Sequence, residues 1–203
     1  MSLFEKHQPV LMKAIEALHT RTFFAAYPEN PSPATYGETA DADGQAKFKA
    51  QVGHRFELLH QAAPTGWAGQ EESPYLQEKL GIQYPVFSAD ELVKRSGVAF
   101  HAWRKVSAAD RAGILMESLE RMKGKFFEIA YATMHTTGQG YMMAFQASGP
   151  HAADRALEAI AAGFEELTRY PATAKWEKPM GKYSIQLQKE WRAVPKGVSV
   201  VVG

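Results

Sequence analysis

The run Val198-Ser199-Val200-Val201-Val202-Gly203 is almost continuously β-branched. Such a run suits a strand buried on both faces of a parallel sheet. A parallel sheet needs crossover connections and further strands, and a lone apolar strand cannot bury itself. Pro195-Lys196-Gly197 reads as the turn that leads into it. The expectation is that these 203 residues are the front of a larger protein, stopped at its first central strand.

The segment before that run has a period of two. Tyr183, Ile185, Leu187, Lys189 and Trp191 alternate with Ser184, Gln186, Gln188 and Glu190. That pattern predicts a half-buried strand. Trp176 to Lys178 is its expected hairpin partner, with Pro179-Met180-Gly181 in the turn. Residues 171–203 hold six Lys or Arg against two acids. They do not line up on one strand face, so an exposed hairpin or subunit interface is favoured over a nucleic-acid ribbon.

Residues 88–170 read as helices. Ser88 and Glu91 have the spacing of a capping box, and Leu92, Val98, Ala99 and Trp103 supply an apolar face. Ser107 to Asp110 restarts a helix. Ala112, Leu115, Leu119 and Met122 form an amphipathic stripe, which Gly124 bends or breaks. Phe126, Ile129, Ala130 and Thr133 carry the stripe on to Gly138, a helix stop. Tyr141–Gln146 is a short helical piece. Ser148-Gly149-Pro150 opens a last helix, with Ala156, Leu157, Ile160, Ala161, Phe164 and Leu167 buried. The core is expected to pack through Leu115, Leu119, Met122, Ile160 and Phe164.

The front of the chain differs. Residues 1–26 are expected to be helical through Phe4, Leu11, Ala14, Ile15 and Leu18, with Tyr27-Pro28 as the stop. Residues 27–88 hold six of the eleven prolines and six of the sixteen glycines. They read as irregular chain around one short helix, about Gly44 to Val52, with Asp43 as N-cap and Gly53 as stop. Phe48, Phe56, Leu58, Leu59, Trp67, Tyr75, Leu76, Leu80, Ile82 and Tyr84 are too many large apolar groups for a disordered linker. The zone is expected to wrap a larger body and anchor by aromatic side chains.

Charge and composition exclude several classes. Apolar residues are 45% and charged residues 22%, with a net charge of +1. That is a globular composition with no bulk pull toward nucleic acid or anionic lipid. No apolar run approaches the roughly 20 residues that span a bilayer. The start, Met-Ser-Leu-Phe-Glu-Lys-His, lacks a signal peptide's apolar region. The expected setting is cytoplasmic, with no membrane and no nucleic acid as partner. Cysteine is absent, so no disulfide, thiolate metal site or cysteine nucleophile lies within these residues.

Candidate chemistry is sparse. The seven histidines are His7, His19, His54, His60, His101, His135 and His151, and none has zincin spacing. Adjacent Glu71 and Glu72 read as a solvated loop. Ser148, His151 and Asp154 fall at i, i+3 and i+6, where a helix N-cap with a polar face explains them better than a nucleophile triad. Gly138-Gln139-Gly140 has no preceding strand, so it reads as a helix stop and not a dinucleotide loop. No residue is assigned a catalytic, cofactor-binding or metal-binding role.

Ala99-Phe100-His101-Ala102-Trp103, followed by Ser107 to Leu115 with Arg111-Ala112, resembles the paired helices of the aldehyde dehydrogenase superfamily. Thr136-Thr137-Gly138-Gln139 resembles that family's helix end, with Gln139 where lysine is common. Arg192 to Gly203 resembles the approach to its first cofactor-domain strand. Ahead of these, Tyr27 to Pro33, Tyr36 to Thr39, Gly66-Trp67 and Ser73-Pro74-Tyr75 resemble the PaaN-type branch, associated with aerobic phenylacetate degradation.

The resemblance implies an α+β fragment: a mostly helical layer, a C-terminal β-hairpin and the first strand of an aldehyde-dehydrogenase-like α/β sheet. It divides the chain into a wrapping segment (1–87), a helical layer (88–170), an oligomerisation-type hairpin (171–197) and a truncated cofactor domain (198–203). The implied parent oxidises an aldehyde with NAD or NADP by thiolate attack, hydride transfer and thioester hydrolysis. Its catalytic residues would lie downstream, so this chain would bind no cofactor, be inactive alone and form a homo-oligomer through the hairpin. The rival reading is a stand-alone helical interaction or scaffolding module.

Overall fold

The computed structural model describes residues 1–59, 62–194 and 197–201. His60, the Pro195-Lys196 part of the expected turn, and Val202-Gly203 of the expected strand lie outside the described residues.

Helix α1 (Leu3–Thr20) opens on a complete capping box. The Ser2 hydroxyl accepts the Glu5 N–H at 3.2 Å, and the Glu5 carboxylate accepts the Ser2 N–H at 2.6 Å. Sequence reading passed over this Ser-x-x-Glu signal. The helix stops at Arg21 in a left-handed conformation, short of Tyr27. Phe23 is therefore left 86% exposed, while Tyr27 is buried in the core.

The wrapping zone has more regular structure than expected. It contains α2 (Pro33–Tyr36), α3 (Ala40–Lys49) and four short strands, β1 (Gly66–Ala68), β2 (Glu72–Ser73), β3 (Glu78–Lys79) and β4 (Tyr84–Val86). β1 pairs antiparallel with β4, and β2 with β3. Helix α3 begins earlier than expected, with Asp41 and Asp43 both inside its first turn. Carboxylates there complement the helix N-terminal charge. Gly44 of α3 sits hard against α6, since a Cβ on it would stand 2.3 Å from the Cβ of Phe127. Anchoring by aromatics is as expected. Tyr36 meets Phe127 and Phe145 edge-on at 5.5 and 5.6 Å, the favoured arrangement of ring quadrupoles. Phe48, Leu80 and Ile82 form a second, smaller core.

Next come α4 (Ala89–Trp103), α5 (Ala108–Lys123), α6 (Phe126–Thr137), α7 (Tyr141–Gln146) and α8 (Ala152–Thr168). Ser88 and Ser107 cap α4 and α5 as read. At Ser88 the reciprocal half of the box is missing, because Glu91 pairs with Arg95. Gly124 ends α5 outright. Leu11, Ala14 and Ile15 of α1 pack with Ala112, Met116 and Leu119 of α5 and Leu157 and Ala161 of α8. The stripe on α5 is rotated from the expected one. Met116 is buried and Leu115 is 42% exposed, because Gly113 brings α1 down onto the Met116 side. A Cβ on Gly113 would lie 2.5 Å from the Phe4 nitrogen.

No new helix opens at Ser148. A π-helical turn (Ala147–His151) joins α7 to α8 without a break. Pro150 lacks an N–H, and the wide turn accommodates that loss. The Ser148 hydroxyl instead bonds the Ala144 carbonyl.

Strands β5 (Thr173–Met180) and β6 (Tyr183–Glu190) form an antiparallel hairpin with Trp176 opposite Leu187 and Lys178 opposite Ile185. It is longer than expected, and its turn is Gly181-Lys182, with Gly181 at φ +62°. The half-buried expectation is corrected. Every residue of both strands is exposed, because nothing among the described residues covers the apolar face. Residues 198–201, the described part of the expected final strand, are not in a strand. With no neighbouring strand among the described residues to complete their hydrogen bonds, Val200 and Val201 remain 85% and 92% exposed.

Candidate functional site

Ser148, His151 and Asp154 do not assemble into a triad, the reading already disfavoured from their spacing. Ser148 bonds within its own turn, and His151 Nε2 contacts Glu29 Oε1 at 2.6 Å. Asp154 is 4% exposed and accepts the Ala26 N–H at 2.8 Å. Burial pushes its carboxyl above the usual carboxylate range, outweighing the backbone N–H groups of Ala26 and Tyr27. These residues tie the chain after α1 to the helical body.

A serine–histidine pair does exist elsewhere, between residues far apart in sequence. Ser73 Oγ lies 2.7 Å from His135 Nδ1 and also accepts the Leu76 N–H at 3.2 Å. The His135 ring stacks on Phe48 at 5.0 Å and 13°. Burial lowers the His135 pKa. Ser73 is fully buried, so no substrate can reach its hydroxyl, and the pair serves to lock β2 onto α6.

Two further polar clusters have the same character. Tyr131 and Tyr141 both donate to Asp41 Oδ1, at 2.9 and 2.7 Å. Burial, then the Asp41 hydrogen bond, raises the Tyr131 pKa to about 12 and that of Tyr141 further, so both remain donors. Glu117 on α5 receives Lys6 Nζ at 2.7 Å and His7 Nε2 at 2.8 Å from α1. Hydrogen bonds from Lys6, then His7, then Arg121 pull its carboxyl down to about 2.

A carboxyl held below its unfolded value stabilises the fold above that value. That stabilisation should be lost as pH falls from 4.5 through about 2. Urea unfolding of the native chain and Glu117→Gln across that range checks this. The native chain should lose its advantage over the variant on acidification; parallel curves would refute the assignment.

A cleft of about 510 Å³ is lined by Tyr36, Asp43, Lys47, Glu120, Lys123 and Glu128, among others. Its carboxylates already have partners: Thr39 on Asp43, Lys123 on Glu120, and Gln51 on Glu128. Among the described residues no three His, Asp or Glu side chains are grouped to hold a metal ion, and no helix is long and apolar enough to cross a membrane. Gly138 is a left-handed cap of α6 at φ +77° and Gly140 precedes α7, with the Tyr75 hydroxyl on the Gln139 carbonyl at 2.7 Å. The loop follows a helix, so it lacks the strand–turn–helix frame of a dinucleotide site.

No family model matches the chain, and no curated protein matches it. Among solved structures, an NAD-dependent aldehyde dehydrogenase from Burkholderia multivorans is similar, with 45% identity and a TM-score of 0.91. The match covers 97% of this chain and 35% of that one. The fold is that of part of an aldehyde dehydrogenase. The chain thus spans about a third of the length of the enzyme it resembles.

Proposed function

We propose that this chain is the N-terminal portion of an NAD-dependent aldehyde dehydrogenase of the PaaN type, inactive by itself. The observation that carries the reading is the 45% identity over 97% of the chain. The branch assignment rests on the motifs around Tyr27 to Thr39, Gly66-Trp67 and Ser73 to Tyr75. NAD is favoured over NADP because the similar enzyme is NAD-dependent. The residues present here do not fit that cofactor, since their glycine loop caps a helix. The thiol nucleophile of such a reaction must also come from elsewhere, because these residues contain no cysteine. The role of this part is structural: a helical layer and a hairpin that support the catalytic domains.

The test is cofactor reduction. The 203-residue chain, incubated with NAD and a panel of aldehydes that includes aliphatic semialdehydes, should produce no more NADH than a boiled control. A chain lengthened by the coding sequence that follows should reduce NAD. Reduction by the short chain would overturn its assigned inactivity. A lengthened chain inert toward every aldehyde would point to a scaffolding module instead.

The hairpin serves a homo-oligomer in this reading. Tyr183, Ile185 and Leu187 are 81%, 45% and 48% exposed on one face. Two-stranded hairpins are marginal in water, and free edges invite pairing. Leu187→Lys should shift the molecular mass measured by light scattering toward the monomer. A native chain that stays monomeric across the micromolar range would reject this interface.

A further inference from the structure

We propose that Tyr131 and Tyr141 are a site of oxidative cross-linking, at which a peroxidase fed by hydrogen peroxide joins the two rings and Asp41 accepts the phenolic protons. This chemistry is independent of aldehyde oxidation.

Three elements bring the groups together. Asp41 lies in the first turn of α3, Tyr131 within α6 and Tyr141 at the start of α7. The two rings stand 5.5 Å apart, tilted by 44°. Both hydroxyls donate to the same oxygen, Asp41 Oδ1, at 2.9 and 2.7 Å. The phenolic ends therefore converge as well as the ring centres. Among the described residues the other ring-to-ring contacts of tyrosine are with phenylalanine, histidine or tryptophan. That singles this pair out, because coupling needs two phenol radicals side by side. Both rings are half-buried and Asp41 is exposed, so a proton taken by the carboxylate can pass on to water.

Oxidising a phenol to its neutral radical removes one electron and one proton. A phenolate gives up the electron more readily. Burial and then the Asp41 hydrogen bond, however, raise the Tyr131 pKa to about 12 and that of Tyr141 further. At neutral pH the proton must leave along with the electron, and a carboxylate already at hydrogen-bond distance is placed to take it. Asp41 releases the first proton to water and can then accept the second. The two radicals couple through the ring carbons beside their hydroxyls, forming one carbon–carbon bond. The hydrogens on those carbons move to the oxygens, which restores both phenols. Hydrogen peroxide takes up the two electrons and two protons and leaves as two waters. The new bond closes the Gly138-Gln139-Gly140 turn covalently, and a closed loop restricts the unfolded chain. The cross-linked chain should therefore unfold at higher urea than the native one.

The test treats the dilute 203-residue chain, and the lengthened chain, with peroxidase and hydrogen peroxide. Trypsin leaves residues 126–155 as one peptide, since no Lys or Arg lies between Lys125 and Arg155. In both chains that peptide should become lighter by two hydrogens and show dityrosine fluorescence. Tyr131→Phe and Tyr141→Phe should each abolish both signals. Asp41→Asn keeps an acceptor oxygen but loses the base, so it should slow cross-linking on the order of 100-fold. Asp41→Glu restores a carboxylate and should recover most of the rate. Cross-links formed only between molecules, through the exposed Tyr170 or Tyr183, overturn the site. So does a native rate in Asp41→Asn, or a lightened peptide that survives either Phe substitution. A lightened peptide in the short chain alone also overturns it, since the pair would then be closed to oxidation in the longer protein.

Discussion

Phe126→Ala should destabilise the chain by about 3–5 kcal/mol, the range for truncating a fully buried aromatic. Phe126 is 0% exposed at the start of α6. Its ring meets Tyr27 at 5.9 Å, Tyr36 at 6.2 Å and Phe145 at 6.3 Å, all edge-on. It therefore joins the chain after α1, the wrapping segment and α7 at one point. The site also resists collapse. Gly149 in the π-turn packs so closely that a Cβ there would stand 3.1 Å from the Phe126 ring. A cavity left by truncation would have backbone on one side, which shifts less readily than a side chain. Whole domains are stable by only about 5–15 kcal/mol, so the variant should be marginal at room temperature. The urea midpoint should drop with the slope unchanged. Leu115→Ala, on the exposed side of α5, should stay within about 0.5 kcal/mol of the native chain. A Phe126→Ala cost under about 1 kcal/mol would show that these rings do not hold the core together.

Helices α5 and α6 were legible because their apolar residues recur with the helical period and their ends carry Ser, Gly or both; α8 was legible from its period alone. The choice between Leu115 and Met116 was not legible. Both are large and apolar on neighbouring positions, and only the approach of α1 at Gly113 decides between them. The hairpin was found from its period of two, but alternation reports a difference between two faces, not the presence of a covering layer. Its burial was misread for that reason. The π-turn left no periodic trace, since Pro150 reads equally well as the first turn of a new helix. The polar contacts were the least legible. Ser73 and His135 are 62 residues apart, and Glu117 lies 110 from His7; no local pattern joins either pair. The absence of a cysteine nucleophile, in contrast, needed only the composition.

Asp154→Ala should cost about 1.5–3 kcal/mol, the range for a buried hydrogen bond to a charged group. The residue is 4% exposed, and its carboxylate accepts from the Ala26 backbone at 2.8 Å. Alanine would leave that part-buried N–H without its acceptor. Asp154→Asn keeps one acceptor oxygen and should recover much of the loss. The two variants also separate a packing role from an electrostatic one. Burial raises the Asp154 pKa from 3.8, so the fold favours the protonated carboxyl more than the unfolded chain does. By linkage, the native chain loses stability as pH rises from 3.8 through the raised value, then levels off. Glu117 acts with the opposite sign and at lower pH. In Asp154→Asn the falling step should vanish while the Glu117 step remains. Urea midpoints of both variants across the acidic range would display this. Should Asp154→Asn keep the falling step, the buried carboxylate is not its source, and the contact that ties Ala26 to α8 is held by shape alone.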